Sequence, residues 1–509
     1  MSSVVDGTPG AVSCCVILAA GEGLRLSALE NGTPKPATQI LGLSLSERVM
    51  LACADSGVHR FVIVLGSQAE AVQAHVEHVA AQRGYAVEFV TAADWQLGNG
   101  VSTLAARDRV DGERFLLVMA DHLVSATLIQ RVLRGPLGAR EVGLGVDRDT
   151  ARLFDPDDAM KVCVEAGRIR RIGKQLRTWD AVDTGVFLAT PTLFDALDDA
   201  GRRGRYALCH GIESLAEGGQ VQAVDVTGEF WIDVDTPASL REARRRLLQS
   251  LRKKTADGYV AAHLNRRLSV PISAWLARTR ITPTQITVVS FLIALAGAAF
   301  FAVDRRWTAV FGALLVQLSS VIDGCDGELA RLRRLATARG GWLDTMLDRY
   351  ADAVVVVSIT FGYATGHPGV VPWIGGMVAI TGFLLASYTT KEYALSHGAP
   401  YPNNWLNRLK RRDLRLFVIA CGGLIGYPYY AMVAMGVLSH LVIISILATG
   451  GQSPQTDPDV SRRSPRRAVA PASMPCNRVD SRDPAVSTVQ RSGDPAPAIW
   501  DGGSPQANS

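Results

Sequence analysis

The chain has 509 residues, with 53 Lys and Arg against 48 Asp and Glu, a formal net charge of +5, and 48% hydrophobic residues. That length exceeds what one hydrophobic core organises, so several domains are expected, and so modest a charge gives no ground for a nucleic-acid partner. Eight cysteines (Cys14, Cys15, Cys53, Cys163, Cys209, Cys325, Cys421, Cys476) are scattered without metal-ligand spacing and fit reduced thiols in a cytosolic setting.

Residues 1–12 read as a flexible N-terminus without a basic region leading into an apolar one, so no signal peptide is expected. From 13 to 248, short apolar runs at 15–20, 60–65, 86–91, 115–120, 142–146 and 185–189 alternate with helical patterns. That rhythm predicts a Rossmann-like α/β domain with a mainly parallel sheet. Residues 249–285 form a basic, amphipathic stretch in which Leu264, Leu268, Ile272 and Trp275 share a face, as in a segment lying on a membrane surface. Residues 286–450 are dominated by apolar runs, read as an all-α polytopic membrane domain of six transmembrane helices: 286–303, 307–325, 345–365, 370–389, 414–427 and 429–449. Loops 366–371 and 426–430 carry no Lys or Arg while 391–415 is strongly basic, which places both termini, residues 13–248 and the aspartates of 323–348 on the cytoplasmic side of the plasma or inner membrane. Arg305 and Arg306, in a short outer loop, run against that rule. Residues 451–509, rich in Pro, Ser, Arg and Asp, read as a disordered tail.

After the first apolar run comes Leu18-Ala-Ala-Gly21-Glu-Gly23-Leu-Arg25-Leu26, then Pro34-Lys35-Pro36. A glycine-rich turn after a strand lets backbone N–H groups approach phosphate oxygens. Arg25 and Lys35 would add two cations for a pentavalent phosphorus, making a triphosphate cradle. This opening resembles the sugar-phosphate nucleotidyltransferase family. By that resemblance Asp121, at the end of 118–121, supplies one metal ligand. The segment Trp231-Ile-Asp233-Val-Asp235-Thr-Pro237 supplies a second, with Asp235 slightly preferred to Asp233. The resemblance also implies that Asn99, Gly100 and Ser102 lie near the nucleoside and sugar, and Ser67 and Gln68 near the base. Lys161, Lys174 and Asp183 would surround the sugar-phosphate.

The most informative stretch lies later. Asp323-Gly-Cys-Asp326-Gly327-Glu-Leu-Ala330-Arg331 is followed by Gly340-Gly-Trp-Leu-Asp344-Thr-Met-Leu-Asp348. Spacings of three and four put each aspartate pair on one helix face, and two such faces enclose four carboxylates. Intramembrane carboxylates cost at least ~2.5 kcal/mol each, so a function is expected. Hard oxygen ligands suit Mg²⁺ or Mn²⁺, and two cations ~4 Å apart clamp a displacement at phosphorus. Gly327 and Ala330 would leave room for a bulky ligand, and Arg331 could pair with a phosphate. The pattern D-x2-D-G-x2-A-R-x8-G-x3-D-x3-D resembles the CDP-alcohol phosphotransferases. That implies metal ligation by Asp323, Asp326, Asp344 and Asp348, with Asp348 also the base for the acceptor hydroxyl.

Both signatures in this order resemble the bifunctional inositol-1-phosphate cytidylyltransferase/di-myo-inositol phosphate phosphate synthase family. The segments at 257–260, 263–266, 281–286 and 412–417 agree with it. The resemblance implies Mg²⁺-dependent synthesis of CDP-inositol from CTP and inositol 1-phosphate, then transfer of phospho-inositol to an inositol phosphate with release of CMP. Arg266, Lys391 and Arg412 become acceptor-phosphate contacts, membrane lipids are partners, and a homodimer is expected. A lipid acceptor, another polyol such as glycerol or ribitol, and a membrane transporter or sensor with a nucleotide-binding head are the alternatives. The last fits poorly, because no internal repeat is evident and the aspartates sit at helix ends.

Overall fold

A computed structural model describes residues 12–27, 32–252, 258–398, 401 and 405–450. The expectations for the N-terminus through residue 11 and for the tail from 451 lie outside the described residues. The soluble half contains strands β1 (Cys14–Ala19), β2 (Gln39–Ile40), β3 (Leu43–Ser44), β4 (Arg60–Leu65), β5 (Ala86–Thr91), β6 (Phe115–Met119) and β7 (His122–Val124). They are followed by β8 (Val142–Asp147), β9 (Lys161–Glu165), β10 (Arg168–Gly173), β11 (Ala181–Ala189), β12 (Val221–Asp225) and β13 (Trp231–Asp233). Its helices are α1 (Leu24–Ser27), α2 (Leu45–Ala54), α3 (Ala69–Arg83), α4 (Asn99–Leu104), α5 (Ala126–Leu133), α6 (Thr192–Arg202), α7 (Leu208–Glu217) and α8 (Pro237–Arg252).

Nine strands form one sheet in the order β5-β4-β1-β6-β11-β8-β12-β10-β9. Every residue of β1 is buried, as a strand covered on both faces must be. On one face Val49, Met50, Val72, Val76, Leu128 and Ile129 from α2, α3 and α5 cover the sheet. On the other, Leu193, Phe194, Leu208 and Ile212 from α6 and α7 do so. Ser44 and Ser125 fix the starts of α2 and α5, each side chain accepting a backbone N–H at 3.2 Å.

The sheet departs from the mainly parallel expectation. β5, β4, β1 and β6 are parallel, as are β8 and β12, but β11 runs antiparallel to both β6 and β8, and β10 to β9 and β12. The reason is local: β9, β10 and β11 follow one another with no helix between them, and parallel neighbours need a crossover of a dozen or more residues. Ala166 (φ 51°) and Gly167 (φ 78°) turn β9 into β10 with the two left-handed residues that a tight hairpin uses.

The helical half comprises α9 (Arg266–Leu276), α10 (Pro283–Phe301), α11 (Arg306–Leu332), α12 (Ala338–Gly366), α13 (Val371–His397), α14 (Trp405–Leu409), α15 (Arg412–Ile425) and α16 (Pro428–Gly450). The 281–286 segment is a helix start: Thr282 and Gln285 form a capping box ahead of α10, with Pro283 in its first turn. Among the described residues, four helices, α10, α11, α13 and α16, are long and apolar enough to cross a membrane. α12 carries Asp344, Asp348, Arg349 and Asp352, which lower its hydropathy, and α15 has only 14 residues, about 21 Å at ~1.5 Å per residue.

The expected border at 248 falls inside α8, which continues to Arg252. Nor does the segment that follows only lie on a surface. Leu268 and Trp275 of α9 are exposed, but Val270, Ala274 and Leu276 enter a core shared by Leu26, Leu41, Leu45, Ile232 and Val234 of the soluble half and Ile286, Cys325 and Leu329 of the helical half.

Two candidate active sites

The first site is assembled at the ends of β1, β6 and β13. Gly23 has φ +59°, and a Cβ there would lie 2.6 Å from that of Lys35, so glycine lets the loop fold onto the lysine. α1, after the loop, has only four residues. Positive potential at this loop therefore rests on Arg25 and Lys35 more than on a helix dipole. Lys35 is buried, and its Nζ donates to Asp121 Oδ2 at 2.6 Å and to Asp235. Asp121 follows β6, and the antiparallel pairing of β7 with β13 sets Asp233 opposite His122. His122 Nδ1 lies 2.8 Å from Asp121 Oδ1 and 3.8 Å from Asp233 Oδ1.

The electrostatics of this cluster oppose burial with pairing. Burial works against the Lys35 charge, but Asp121, Asp235 and Asp233 together hold its pKa above the usual lysine range. Burial pushes the Asp121 carboxyl up, yet Lys35 and His122 outweigh it and hold it well below the usual range. For His122, burial lowers the pKa, but Asp233 and Asp121 raise it to about 9. Asp233 is pushed up to about 6, chiefly by burial. One ligand atom each from Asp121, His122 and Asp233 lies within 4.8 Å of the others. With Asp235 beside them, this mainly carboxylate donor set fits a hard divalent cation once Lys35 yields its place.

A cleft of about 910 Å³ opens at this cluster, lined among others by Asn99, His122, Asp158, Lys174, Asp183 and Asp233. Asp183 accepts the Gly185 N–H at 2.6 Å, and burial pushes its carboxyl up to about 6. Arg25 is exposed, 3.6 Å from Asp158 and 3.7 Å from Asp235, and Lys174 also pairs with Asp158. Gly21 has open space around it. Asn99 and Gly100 are clamped to the start of α7: Asn99 Oδ1 accepts the Leu208 N–H at 2.8 Å, and Gly100 N donates to Tyr206 O at 2.9 Å. Ser67 N donates to Ala20 O at 2.9 Å, which ties the expected base segment to the glycine loop, and Gln68 there is left-handed with φ 51°. Lys161 is not among the residues lining the cleft, and its Nζ sits 5.9 Å from the centre of the Trp179 ring. Sequence reasoning did not single out His122 or Asp158.

The second site lies between α10, α11, α12 and α15. Ligand atoms of Asp323, Asp326 and Asp344 fall within 4.8 Å of one another, an all-carboxylate set that suits Mg²⁺ or Mn²⁺. Thr287 Oγ1 donates to Asp326 at 2.6 Å, and Ser290 Oγ to Asp323 at 3.5 Å. Asp348 pairs with Arg412 Nη1 at 2.7 Å; the same nitrogen is 3.1 Å from Asp323, and Arg412 Nε is 3.0 Å from the buried Asp352. Arg412 thus joins the aspartates directly. Asp352 also meets Arg349 at 3.5 Å and Arg415 at 3.4 Å; none of these three was singled out in the sequence.

Two expectations change here. A Cβ on Gly327 would lie 3.1 Å from Arg331 Nη1, so the guanidinium already occupies the space beside Gly327 and the half-buried Ala330. Arg266 donates to Glu328 at 2.5 Å, a fully buried carboxylate that also accepts from Ser269 at 2.6 Å and Ser273 at 2.7 Å. A buried carboxylate needs such partners, so Arg266 clamps α9 to α11 instead of facing a phosphate. Lys391 is exposed on α13 with no ion pair among the described residues.

Residues 280–447 match the family described as CDP-alcohol phosphatidyltransferase, and residues 15–147 the MobA-like NTP transferase domain. A bifunctional IPC transferase and DIPP synthase from Rubrobacter xylanophilus is 36% identical over 427 residues, covering 83% of this chain and 93% of that protein. One of the same name from Aquifex aeolicus is 31% identical over 436 residues, covering 85% of this chain and 97% of its own. An archaetidylinositol phosphate synthase from Methanothermobacter thermautotrophicus is 33% identical over 179 residues, 35% of this chain and 83% of that protein. Nearly the full length of both bifunctional relatives is covered, and the chain belongs to the bifunctional IPC transferase and DIPP synthase family.

Proposed function

We propose that this chain makes CDP-inositol from CTP and inositol 1-phosphate at its first site and consumes it at its second. The observation that carries the reading is the presence, in one chain, of two separate carboxylate clusters with cations beside them, the first including Asp121 of the matched NTP transferase segment and the second lying wholly inside the matched CDP-alcohol phosphatidyltransferase segment. At the first site, an oxygen of inositol 1-phosphate attacks the α-phosphorus of CTP, the bond to the bridging oxygen breaks, and pyrophosphate leaves. Lys35 exchanges Asp121 and Asp235 for triphosphate oxygens, and Arg25 stabilises charge that grows on them. Asp121, Asp235 and Asp233 would hold Mg²⁺ or Mn²⁺, which when bound neutralises phosphate charge. Gly21, Gly23, Asn99 and Gly100 shape the nucleotide side, and Lys174 and Asp183 the polyol side.

At the second site, an acceptor hydroxyl attacks the β-phosphorus of CDP-inositol and CMP leaves. Asp348 takes the hydroxyl proton, which requires Arg412 to release it, and a phosphate of the acceptor is a suitable new partner for that guanidinium. Asp323, Asp326, Asp344 and Asp348 would hold the metals, and Arg331, over Gly327, meets the pyrophosphoryl group. In this reading α12 and α15 join the four apolar helices as six spans, the site faces the cytoplasmic side of the plasma membrane among its lipids, and the chain works as a homodimer. The basic 391–415 segment supports that orientation.

A second reading has a specific support. One relative, covering 35% of this chain, is an archaetidylinositol phosphate synthase, and a lipid acceptor would suit a site within a bilayer. Detergent-purified protein incubated with CTP, Mg²⁺ and inositol 1-phosphate, followed by ³¹P NMR, separates the readings. Pyrophosphate and CDP-inositol followed by CMP and a soluble phosphodiester are expected. CDP-inositol that accumulates without CMP, until a lipid acceptor is added, would transfer the conclusion to the second reading.

A further inference from the structure

One wall of the first cleft is the loop between β8 and β9, fixed at three points. Arg148 N donates to Thr227 Oγ1 at 2.9 Å, Arg246 donates to Arg152 O at 3.0 Å, and Asp183 N donates to Met160 O at 2.9 Å. Asp158, two residues before that last anchor, lines the cleft. One of its oxygens accepts from Lys174, and the other lies 3.6 Å from Arg25, which in turn is 3.7 Å from Asp235. Asp158 therefore joins a cation beside the metal-binding carboxylates to one at the end of β10. Its side chain is 36% exposed, so both ion pairs are screened and readily exchanged.

Incoming phosphates carry more charge than one carboxylate and compete for Arg25 and Lys174. Once those cations turn to phosphate, Asp158 remains as an acceptor-only group facing the cleft, held in place by the anchored loop. Beside a phosphate such a group is repulsive unless hydroxyls donate to it, and neighbouring hydroxyls can satisfy both its oxygens. A phosphorylated polyol brings the phosphate for Lys174 and the hydroxyls for Asp158 together, and about 910 Å³ has room for it beside a nucleotide.

We infer that Asp158 is a specificity residue that accepts hydrogen bonds from hydroxyls of the polyol phosphate, favouring a polyhydroxylated acceptor over a phosphate monoester without neighbouring hydroxyls. The inference rests on the first-site reading above. It is tested on the full chain with Asp158→Asn and Asp158→Ala, measuring pyrophosphate release while CTP and inositol 1-phosphate are varied separately. The expected result is a KM for inositol 1-phosphate raised about 10- to 100-fold, the loss typical of a hydrogen bond to a charged group. The KM for CTP should stay within about threefold, and the preference for inositol 1-phosphate over a deoxy analogue should shrink by a like factor. An unchanged polyol KM, or equal rises for both substrates as expected if Asp158 only positions Arg25, overturns the assignment. No pyrophosphate from the unaltered protein overturns the first-site reading with it.

Discussion

A buried ammonium held between two carboxylates is stable only while both remain, and the carboxylates need it as much. Lys35 stands so between Asp121 and Asp235. Replacing it by Met leaves carboxylates without their cation, a change that commonly costs about 3–5 kcal/mol when a buried pair is broken. The expected outcome for Lys35→Met is a lowered melting temperature in EDTA and a larger gain on adding Mg²⁺ than the unaltered protein shows, because a cation bound to the folded state can take over the neutralisation. Pyrophosphate formation should fall by at least about 100-fold. Equal Mg²⁺ gains in both proteins would separate Lys35 from the metal-binding carboxylates. At the other site, Asp344→Asn removes a charged oxygen from the three-aspartate cluster. CMP release should drop by about 100-fold or more while pyrophosphate release from CTP is retained, both read from one reaction by ³¹P NMR. The spacing of Asp323, Asp326 and Asp344, and the positions of Lys35 and Asp121, were legible because each sits inside a short motif. Asp233 beside His122 was not, because strand register between segments about a hundred residues apart decides that contact. Arg349 and Asp352 escaped notice because charges inside a helix gain meaning only from what packs against them.

At the level of elements, the soluble half grips the C-terminal end of α11, the helix that carries Asp323 and Asp326. Arg48 of α2 donates to Leu332 O at 3.2 Å and Arg83 of α3 to Arg333 O at 3.3 Å, so cations satisfy carbonyls that a helix end leaves open. Arg333 turns back to Ile281 O at 2.7 Å and Ala277 O at 2.9 Å, bracing the link between α9 and α10. The β2–β3 hairpin fits against that link through Gly42, whose φ is +84° and whose Cβ, if present, would lie 2.3 Å from Ala277 O. Gly42→Val meets both a left-handed backbone and a backbone oxygen that cannot move aside. It should cost about 1–3 kcal/mol or more, read as a lower melting temperature of the detergent-solubilised chain. An unchanged melting temperature would mean that the hairpin does not bear on the helical half. The apolar runs that became β1, β4 and β6 could be read directly, since nearly continuous burial leaves continuous hydrophobicity. The β9–β10 hairpin could not, because Arg168, Arg170 and Arg171 dilute the strand signal of β10, in which only Ile169 and Ile172 are buried.

Across the whole molecule, the order of the two signatures gave the two halves, but nothing in the composition revealed that they share a core. Leu26, Ile40, Leu41, Leu45, Ile232 and Val234 from the soluble side meet Val270, Ala274, Ile286, Cys325 and Leu329 from the helical side. Some of these residues lie close in sequence to the machinery: Leu26 follows Arg25, Val234 separates Asp233 from Asp235, and Cys325 precedes Asp326. Burying apolar surface contributes roughly 25 cal/mol per Å², so a soluble half produced alone has to expose side chains that the whole chain keeps dry. A fragment covering residues 1–252 should therefore melt several degrees below the nucleotidyltransferase transition of the full chain and bind a hydrophobic dye that the full chain excludes. Substituting Leu41 and Leu45 by polar residues should rescue solubility of the fragment while destabilising the full chain, an opposition expected only if that surface is internal in one and external in the other. A fragment as stable and as dry as the intact protein would reduce the shared core to mere contact, and the two sites to neighbours joined only by their chain.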